Sequence, residues 1–428
     1  MTQAVRYRAV IIGAGPSGLA AVKALLDAGI SPIVVYEKGD RVGGNWVYTA
    51  REGHSSVFDT THIISSKALS QYSDFPMPAD YPDYPSHRQL LSYFEGYAQR
   101  FELERVIEFG REVTRVESGP DGGWRVELAD GTTVLSDAVL VASGHHWDPR
   151  WPTYPGEFTG RYLHSHQYKT AEPFRGERVL VIGGGNSACD IAVETSRLAA
   201  HTGLSLRRGY YIVPKFMFGQ PPDVMNDRMQ WIPSPIRRRL HYWTWRLMTG
   251  GNEPYGLPEP DHAMLTSHPV VNSELLYFIR HGRVQPYPDI ARFDGGRVHF
   301  VDGRSESFDT VIAATGFRIN FPFLDPTLAD FAEGDVPLYL RVFHPQRPSL
   351  AFIGLVQPAG CIWPLAEAQA KLVAQHLTGE YRLPPDARER AGNDAREIRR
   401  RYVRSPRHSV EVDFHEHMRD LRRALKDG

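Results

Sequence analysis

Apolar residues follow two rhythms along this chain, and the rhythm changes at glycine. From residue 6 to Ile12 the apolar positions are nearly continuous. After Gly13-Ala14-Gly15 they recur at helical spacing from Pro16 to Ala28, where Gly29 supplies a stop. Residues 32–36 are again continuous. That order predicts strand, tight turn, helix, strand. It returns at Val179-Leu180-Val181-Ile182, at Gly183-Gly184-Gly185-Asn186-Ser187-Ala188, and at Leu204-Ser205-Leu206. Residues 87–100 read as a helix. Short alternating strands at 105–117 and 123–137 surround Gly122-Gly123 and Asp130-Gly131, the marks of a hairpin. A similar hairpin is expected around Asp294-Gly295-Gly296 and Asp302-Gly303. Each half then reaches a buried strand with one shared ending, D-x-V-x-x-A-(S/T)-G, at Asp137–Gly144 and at Asp309–Gly316.

The repeated plan predicts an α/β fold with two Rossmann-like dinucleotide-binding domains, the second inserted in the first. Residues 1–168 and 318–428 are expected to form one domain, and 169–317 the other. Residues 210–280 break the pattern with Trp231, Trp243, Trp245 and many prolines, and read as a mostly helical insertion. Its Arg237-Arg238-Arg239 run is a solvated helix face or a ligand site. The tail, 384–428, alternates charge at helical spacing and is expected to form surface helices.

The two turns carry candidate chemistry. Each follows G-x-G-x-x-G/A between a strand and a helix: Gly13, Gly15 and Gly18 in the first, Gly183, Gly185 and Ala188 in the second. Glycine lets backbone approach a pyrophosphate, which then sits on the N–H groups at the helix start. The strands that follow end differently. The first ends at Glu37, where an acid accepts from ribose hydroxyls. The second ends at Arg207-Arg208, where an acid would repel a 2′-phosphate and arginines attract one. The first site therefore reads as FAD and the second as NADP(H), the alternative for the arginine pair being a solvated strand end.

The 428 residues allow two or three domains, and the formal net charge of −1 points to neither nucleic acid nor an anionic membrane as a partner. The two cysteines, Cys189 and Cys361, are far apart. They form no disulfide framework and no C-x-x-C, which disfavours a flavin disulfide reductase. No apolar run reaches the ~18 residues of a membrane span, and no leader is expected before the first strand. A cytoplasmic protein without a metal is expected; His145-His146 reads as a hinge or an NADP-domain contact. Residues 54–88, rich in Ser, His, Tyr and Pro, form a long aromatic loop region of the kind that carries function.

Phe158-Thr159-Gly160 through His164 to Tyr168 fits F-x-G-x-x-x-H-x-x-x-(Y/F). This resembles the identifying motif of the flavin-containing monooxygenases. Tyr168-Lys169 stand where the related Baeyer–Villiger enzymes have W-P. Gly43-Gly44-Asn45-Trp46, Ser65-Ser66-Lys67, Tyr72–Pro76, Gly185–Asp190, Thr315-Gly316-Phe317 and Ile353–Pro358 resemble further segments of that family. So do Tyr255-Gly256-Leu257 and Pro269–Asn272, while the C-terminal membrane helix of the animal members is not expected here. The resemblance implies that FAD contacts Gly13, Gly15, Pro16, Ser17, Gly18, Glu37, Lys38, Gly44, Asn45, Trp46, His54, Val113 and Gln357. It implies that NADP(H) contacts Gly183, Gly185, Asn186, Ser187, Ala188, Asp190, Arg207 and Arg208, and it suggests a homodimer. The implied activity uses NADPH and O2 to make a flavin C4a-hydroperoxide, whose distal oxygen passes to an amine nitrogen or sulfide sulfur of a small-molecule substrate. Baeyer–Villiger oxygenation of ketones or 2-oxo acids is one alternative; an uncoupled NADPH oxidase or redox sensor is the other. One position departs from the family. Ile64 stands where an asparagine is usual, so Ile64, Ser65 and Ser66 are expected beside the flavin and nicotinamide with no acid–base role.

Overall fold

The computed structural model describes residues 5–50, 53–328, 331, 337–403 and 406–427. The described chain forms two compact units. One comprises Met1–Val47, Ser65–His145 and Arg318–Gly428; the other comprises Tyr48–Ile64 and His146–Phe317.

In the first unit, β1 (Arg6–Ile12), α1 (Pro16–Asp27) and β2 (Ile33–Glu37) follow the expected order. β1 pairs in parallel with β2, Val10 beside Val34. Its other neighbour is β6 (Thr133–Val141), also parallel, with Val10 beside Val139. A strand covered on both faces has no polar side, which is why these segments read as unbroken apolar runs. β3 (Ile107–Phe109) extends one edge. β4 (Val113–Ser118) and β5 (Trp124–Leu128) make the predicted antiparallel hairpin and join β6. The strand order is β3-β2-β1-β6-β5-β4, with Leu350–Phe352 also parallel to β6. α1 stops where Gly29 turns left-handed (φ +70°). α2 (His87–Arg100) starts with a capping box, the Ser86 hydroxyl accepting from Gln89 N while the Gln89 side chain accepts from Ser86 N. The tail contains helices Ala387–Arg401 and Phe414–Asp427; residues 404, 405 and 428 of that expectation lie outside the described residues.

The second unit holds a five-stranded parallel sheet. Its order is Val284–Tyr287, His201–Ser205, Arg178–Ile182, Thr310–Ala313, Arg161–His164. α3 (Asn186–Thr195) follows the central strand. An antiparallel sheet of Ile290–Asp294, Arg297–Phe300 and Ser305–Ser307 contains the second hairpin. The insertion, expected to be mostly helical, is helical over less than half of its length, in Pro222–Arg228, Ser234–Thr249 and Leu275–Arg280, and contains the paired short strands Ile212–Val213 and Val270–Val271.

The units divide at different places from the expected 168/169 boundary. Residues 146–168 pack with the second unit because Arg161–His164 is a strand of its sheet, Leu163 beside Ile312. Tyr48–Ile64 joins that unit as well. The Lys169 ammonium, almost wholly buried, donates to the carbonyls of Ser55 (2.7 Å) and Val57 (3.2 Å), and Asp59 N donates to Lys169 O. A buried cation is costly unless such acceptors surround it, so these bonds fix the loop to its sheet.

Candidate functional site: two glycine turns

At the first turn each glycine answers a separate steric demand. Gly13 sits at φ +101°, and a Cβ there would lie 2.9 Å from Ala142 O. Gly18 has ordinary backbone angles, but its Cβ would come within 1.9 Å of Gly13 O, so it sets how closely α1 lies against the end of β1. Gly15 faces Gly44 instead: a Cβ on Gly15 would stand 3.5 Å from Gly44 Cα, and one on Gly44 (φ +54°) would stand 2.9 Å from Gly15 Cα. Two backbones thus approach with no side chain between them. No side chain caps Gly15, Pro16 fills the first helical position, and the first turn of α1 holds no acid. That end of the helix dipole and its N–H groups are left for an anion.

Glu37 closes β2 beside this cradle. Its carboxylate is buried and accepts from Ala14 N and Gly39 N, each at 2.7 Å, one bond per oxygen. Each oxygen keeps a second acceptor direction, enough for a pair of ribose hydroxyls. Lys38 is exposed, and Ser17, Asn45 and Trp46 are half-buried. The Trp46 ring meets Trp363 edge-on at 5.7 Å. Val113 opens β4 and belongs to the core. Gln357 lies in the short strand Gln357–Pro358, after a turn in which Gly354 (φ +78°) lets the chain pass Ser17; a Cβ on Gly354 would collide with Ser17 Oγ.

Two polar residues of the helix Trp363–Thr378 went unnoticed in the sequence. Gln369 is fully buried, and its Oε1 accepts from Gly354 N at 2.8 Å, fixing the turn that leads to Gln357. Glu367 is buried and accepts from Ser73 N (2.9 Å) and the Ser73 hydroxyl, and pairs with Lys371 (2.7 Å), which holds the 72–76 loop. The signal was available: two polar residues interrupt the apolar face of a helix.

The second turn repeats the steric logic. Gly183 sits at φ +129°, with a hypothetical Cβ 2.4 Å from Ala314 O. Gly185 leads into α3 without a capping side chain or an acid in the first turn. Ser187 is exposed and Ala188 fully buried. The Asn186 and Asp190 side chains both bond to the 269–272 segment. Asn186 donates to Pro269 O (3.2 Å) and accepts from Val271 N (2.7 Å), while Asp190 Oδ1 accepts from Asn272 Nδ2 at 2.6 Å. Together they clamp the 269–272 segment against α3. Burial pushes the Asp190 carboxyl up to about 6, against the opposing pull of Lys215. Asn272 therefore matters through Asp190, a long-range pair with no sequence signature.

Arg207 is exposed, two residues beyond the strand His201–Ser205. Arg208 lies over the Tyr210 ring, 5.4 Å from its centroid, and its buried Nε has no hydrogen-bond partner among the described residues. Tyr210 in turn occupies the space a Cβ on Gly184 would need. A guanidinium held over an aromatic ring with an unused donor suits a phosphate oxygen.

The remaining expected residues fall in both units. His54 and Ile64 are half-buried in the Tyr48–Ile64 segment of the second unit. Ser65 and Ser66 are buried in the first unit, where Ser65 Oγ accepts from the Ser70 hydroxyl at 2.8 Å. The neighbouring Lys67 ammonium donates to the carbonyls of Tyr81 (2.5 Å) and Ala79 (3.0 Å). His164 has no exposed surface; burial, helped by His166, pushes its imidazole down to about 4, which removes it as a base poised near neutrality. Tyr168 is a core residue, stacked on Phe174 and edge-on to Phe58. Both cysteines are free and buried, and burial pushes the Cys189 thiol up. Among the described residues no group of three or more His, Cys, Asp or Glu side chains could hold a metal.

The residues present fit a flavin nucleotide at the first turn and a phosphorylated nicotinamide nucleotide at the second. The Gly15–Gly44 cradle and the unused Arg208 donor are the observations that test the fit. Comparison with known proteins gives the family. Residues 6–427 match the family described as "Flavin-binding monooxygenase-like". The chain is 36% identical over 440 residues to flavin-containing monooxygenase 5 of Mus musculus, covering 97% of this chain and 82% of that protein. It is 34% identical over 401 residues to the N-oxide-forming dimethylaniline monooxygenase 2 of Rattus norvegicus, covering 89% and 75%. The structure of S-allyl-L-cysteine S-oxygenase from Allium sativum superposes with a TM-score of 0.73 at 24% identity, covering 99% of this chain and 89% of that one; this likeness is one of fold.

Proposed function

The chain belongs to the flavin-binding monooxygenase-like family and is an FAD- and NADP-dependent monooxygenase, and we propose that its substrates are soft nucleophiles, oxygenated at an amine nitrogen or a sulfide sulfur. The observation that carries the cofactor part of this reading is the contrast after two otherwise matching turns: Glu37 follows one and Arg207-Arg208 the other. Names of relatives support the atom transferred to: one is N-oxide-forming and one fold neighbour is an S-oxygenase.

When bound and reduced by NADPH, FAD supplies the electrons that divide O2 between product and water. The balance is NADPH, a proton, O2 and substrate giving NADP+, water and the oxygenated substrate. The protein's part is binding and shielding. In this reading Gly15 and Gly44 admit the pyrophosphate to the N–H groups of Ser17 and Gly18. Glu37 accepts from the ribose, and Trp46 supplies a flat apolar wall. Arg208, braced by Tyr210, takes the 2′-phosphate with Arg207 beside it. No side chain acts as nucleophile. A proton-transfer residue near neutrality is not required, in keeping with an imidazole at His164 that stays uncharged. Dryness matters more, because water and stray protons divert the oxygen to hydrogen peroxide.

Ile64 favours a second reading. A half-buried isoleucine cannot donate a hydrogen bond where the family usually places an amide, and in this second reading the oxygen leaves as peroxide. One experiment separates the readings. The FAD-loaded protein is given NADPH and 18O2 with a thioether or a tertiary amine. One labelled oxygen in the sulfoxide or N-oxide for each NADPH supports the proposal. Stoichiometric hydrogen peroxide that neither compound suppresses supports the oxidase, and label entering an ester from a ketone supports Baeyer–Villiger chemistry.

A further inference from the structure

A cavity of about 330 Å³ in the first unit is lined by the helices Ala387–Arg401 and Phe414–Asp427, by Val412, by Tyr381 and by the turn at residues 339–341. Its volume lies at the small end of those that hold small molecules. None of its lining residues is among those expected to hold either nucleotide.

The turn carries strain. Tyr339 and Phe343 bond each other through both backbone groups, at 2.9 and 3.0 Å. Between them Leu340 and Arg341 hold consecutive positive φ angles, +52° and +58°. Glycine and asparagine adopt this conformation readily, whereas larger side chains resist it. Strain of this kind persists only where the surrounding structure imposes it, and it accompanies function. Here it sets Arg341 in the cavity wall.

Two buried side chains in that wall have the chemistry of a binding site. Arg341 is 1% exposed; its Nε lies 2.8 Å from Asp394 Oδ2, and its Nη1 donates to Ser409 O at 3.4 Å. The Asp394 side chain is nevertheless 47% exposed. A buried guanidinium whose carboxylate partner still meets water is costly in a core and useful where a ligand is to be held. His417 is 8% exposed, and its buried Nε2 has no hydrogen-bond partner among the described residues. Burial, helped by Arg341, pushes this imidazole down to about 4. A neutral ring nitrogen can donate or accept, according to tautomer. Buried polar atoms are normally bonded, so an unpartnered one in the wall of a cavity points to a ligand.

Charge and shape select the occupant. Arg341, Arg390 and Arg423 share the lining with two carboxylates, Asp394 and Asp420, an excess of one cation within it. Asp386 holds Arg390 from outside the lining at 2.9 Å, while Arg423 and Asp420 stand 3.7 Å apart, beyond hydrogen bonding. Two carboxylates disfavour a dianion such as phosphate, and a planar guanidinium matches the fork of a single carboxylate. The rest of the lining is apolar or aromatic. Leu340, Ala391, Val412 and Ala424 contribute aliphatic surface. Tyr381 donates its hydroxyl to that of Tyr339 at 3.2 Å, so the two rings form one wall.

We propose that this cavity binds a small monocarboxylate with a compact apolar body, the carboxylate at His417 and the arginines and the body against the tyrosine rings.

Isothermal titration calorimetry of the full-length, FAD-loaded protein tests this, without nicotinamide nucleotide. The probes are sodium benzoate, sodium isobutyrate and benzyl alcohol. At least one of the two carboxylates is expected to bind, one molecule per chain, and the uncharged alcohol to bind at least about tenfold more weakly than benzoate. The Arg423 side chain is 73% exposed, so Arg423→Glu leaves the packing intact while it adds a like charge to the lining. It is expected to weaken carboxylate binding about tenfold or more. Ala424→Phe, which fills the cavity, is expected to abolish binding with FAD content unchanged; should that variant lose FAD, Arg423→Glu decides. Arg208→Ala, at the second glycine turn, is expected to bind the carboxylates as the wild type does. Failure of both carboxylates to bind, equal affinity for benzyl alcohol, or affinity that survives Arg423→Glu overturns the proposal. So does carboxylate binding that is lost in Arg208→Ala, because the anion then sits at the nucleotide site.

Discussion

Replacing Gly15 by alanine tests the first cradle directly. Gly15 has φ −72° and ψ −177°, angles open to any residue, so the backbone is not strained by the change. The added methyl would lie 3.5 Å from Gly44 Cα and 3.8 Å from Gly44 N, which is ordinary contact. Without FAD the variant should be as stable as the wild type, or gain about 0.4–1 kcal/mol from a less flexible unfolded chain. The same methyl occupies the space through which a pyrophosphate would reach the start of α1. Losing one charge-assisted hydrogen bond to backbone costs about 1.5–3 kcal/mol, a rise in the FAD dissociation constant of roughly 10- to 100-fold. Gly18→Ala should behave oppositely. Its methyl would meet Gly13 O at 1.9 Å, α1 must move by about 1 Å, and overpacking of that kind costs about 1–3 kcal/mol even without cofactor. The assay is a fluorescence titration of apoprotein with FAD beside thermal unfolding of the same apoprotein. Wild-type FAD affinity in Gly15→Ala, or apoprotein of that variant unfolding well below the wild type, would refute the reasoning.

Arg208→Ala should raise the dissociation constant for NADPH at least tenfold more than that for NADH, since a guanidinium–phosphate contact is worth about 1.5–3 kcal/mol; stopped-flow reduction at varied nucleotide checks it, and equal losses would remove the 2′-phosphate assignment. Ile64→Asn should reduce hydrogen peroxide formed per NADPH several-fold with substrate present, and an unchanged ratio would show that Ile64 is not near the reacting oxygen. Acid should destabilise the protein through buried His164. Its folded-state value of about 4 lies below the ordinary 6.5, so as pH falls through 6.5 the unfolded chain takes up the proton first. Stability is then lost progressively until about pH 4, by up to roughly 3 kcal/mol from this group. Denaturant unfolding at pH 7, 5.5 and 4 should show a His164→Gln variant losing less over that interval.

The two turns were legible in the chain because their causes are local. A buried parallel strand needs an unbroken apolar run, a tight turn needs glycine, and a helix needs its own period; each is satisfied within about 25 residues. For the same reason the contrast between Glu37 and Arg207-Arg208 could be read before any fold was known. Contacts between distant residues decided the rest. Lys169, by donating to Ser55 and Val57 carbonyls, assigns Tyr48–Ile64 to the second unit, and a ladder with Thr310–Ala313 draws residues 161–164 there too. Asn272 gives Asp190 its partner, and Gln369 fixes a turn fifteen residues away. In Ser234–Thr249 the sequence shows two apolar faces of similar make-up. Only the fold turns Trp245 inward and leaves Trp243 in water, because burial depends on what another part of the chain places against a face, and no local period contains that information.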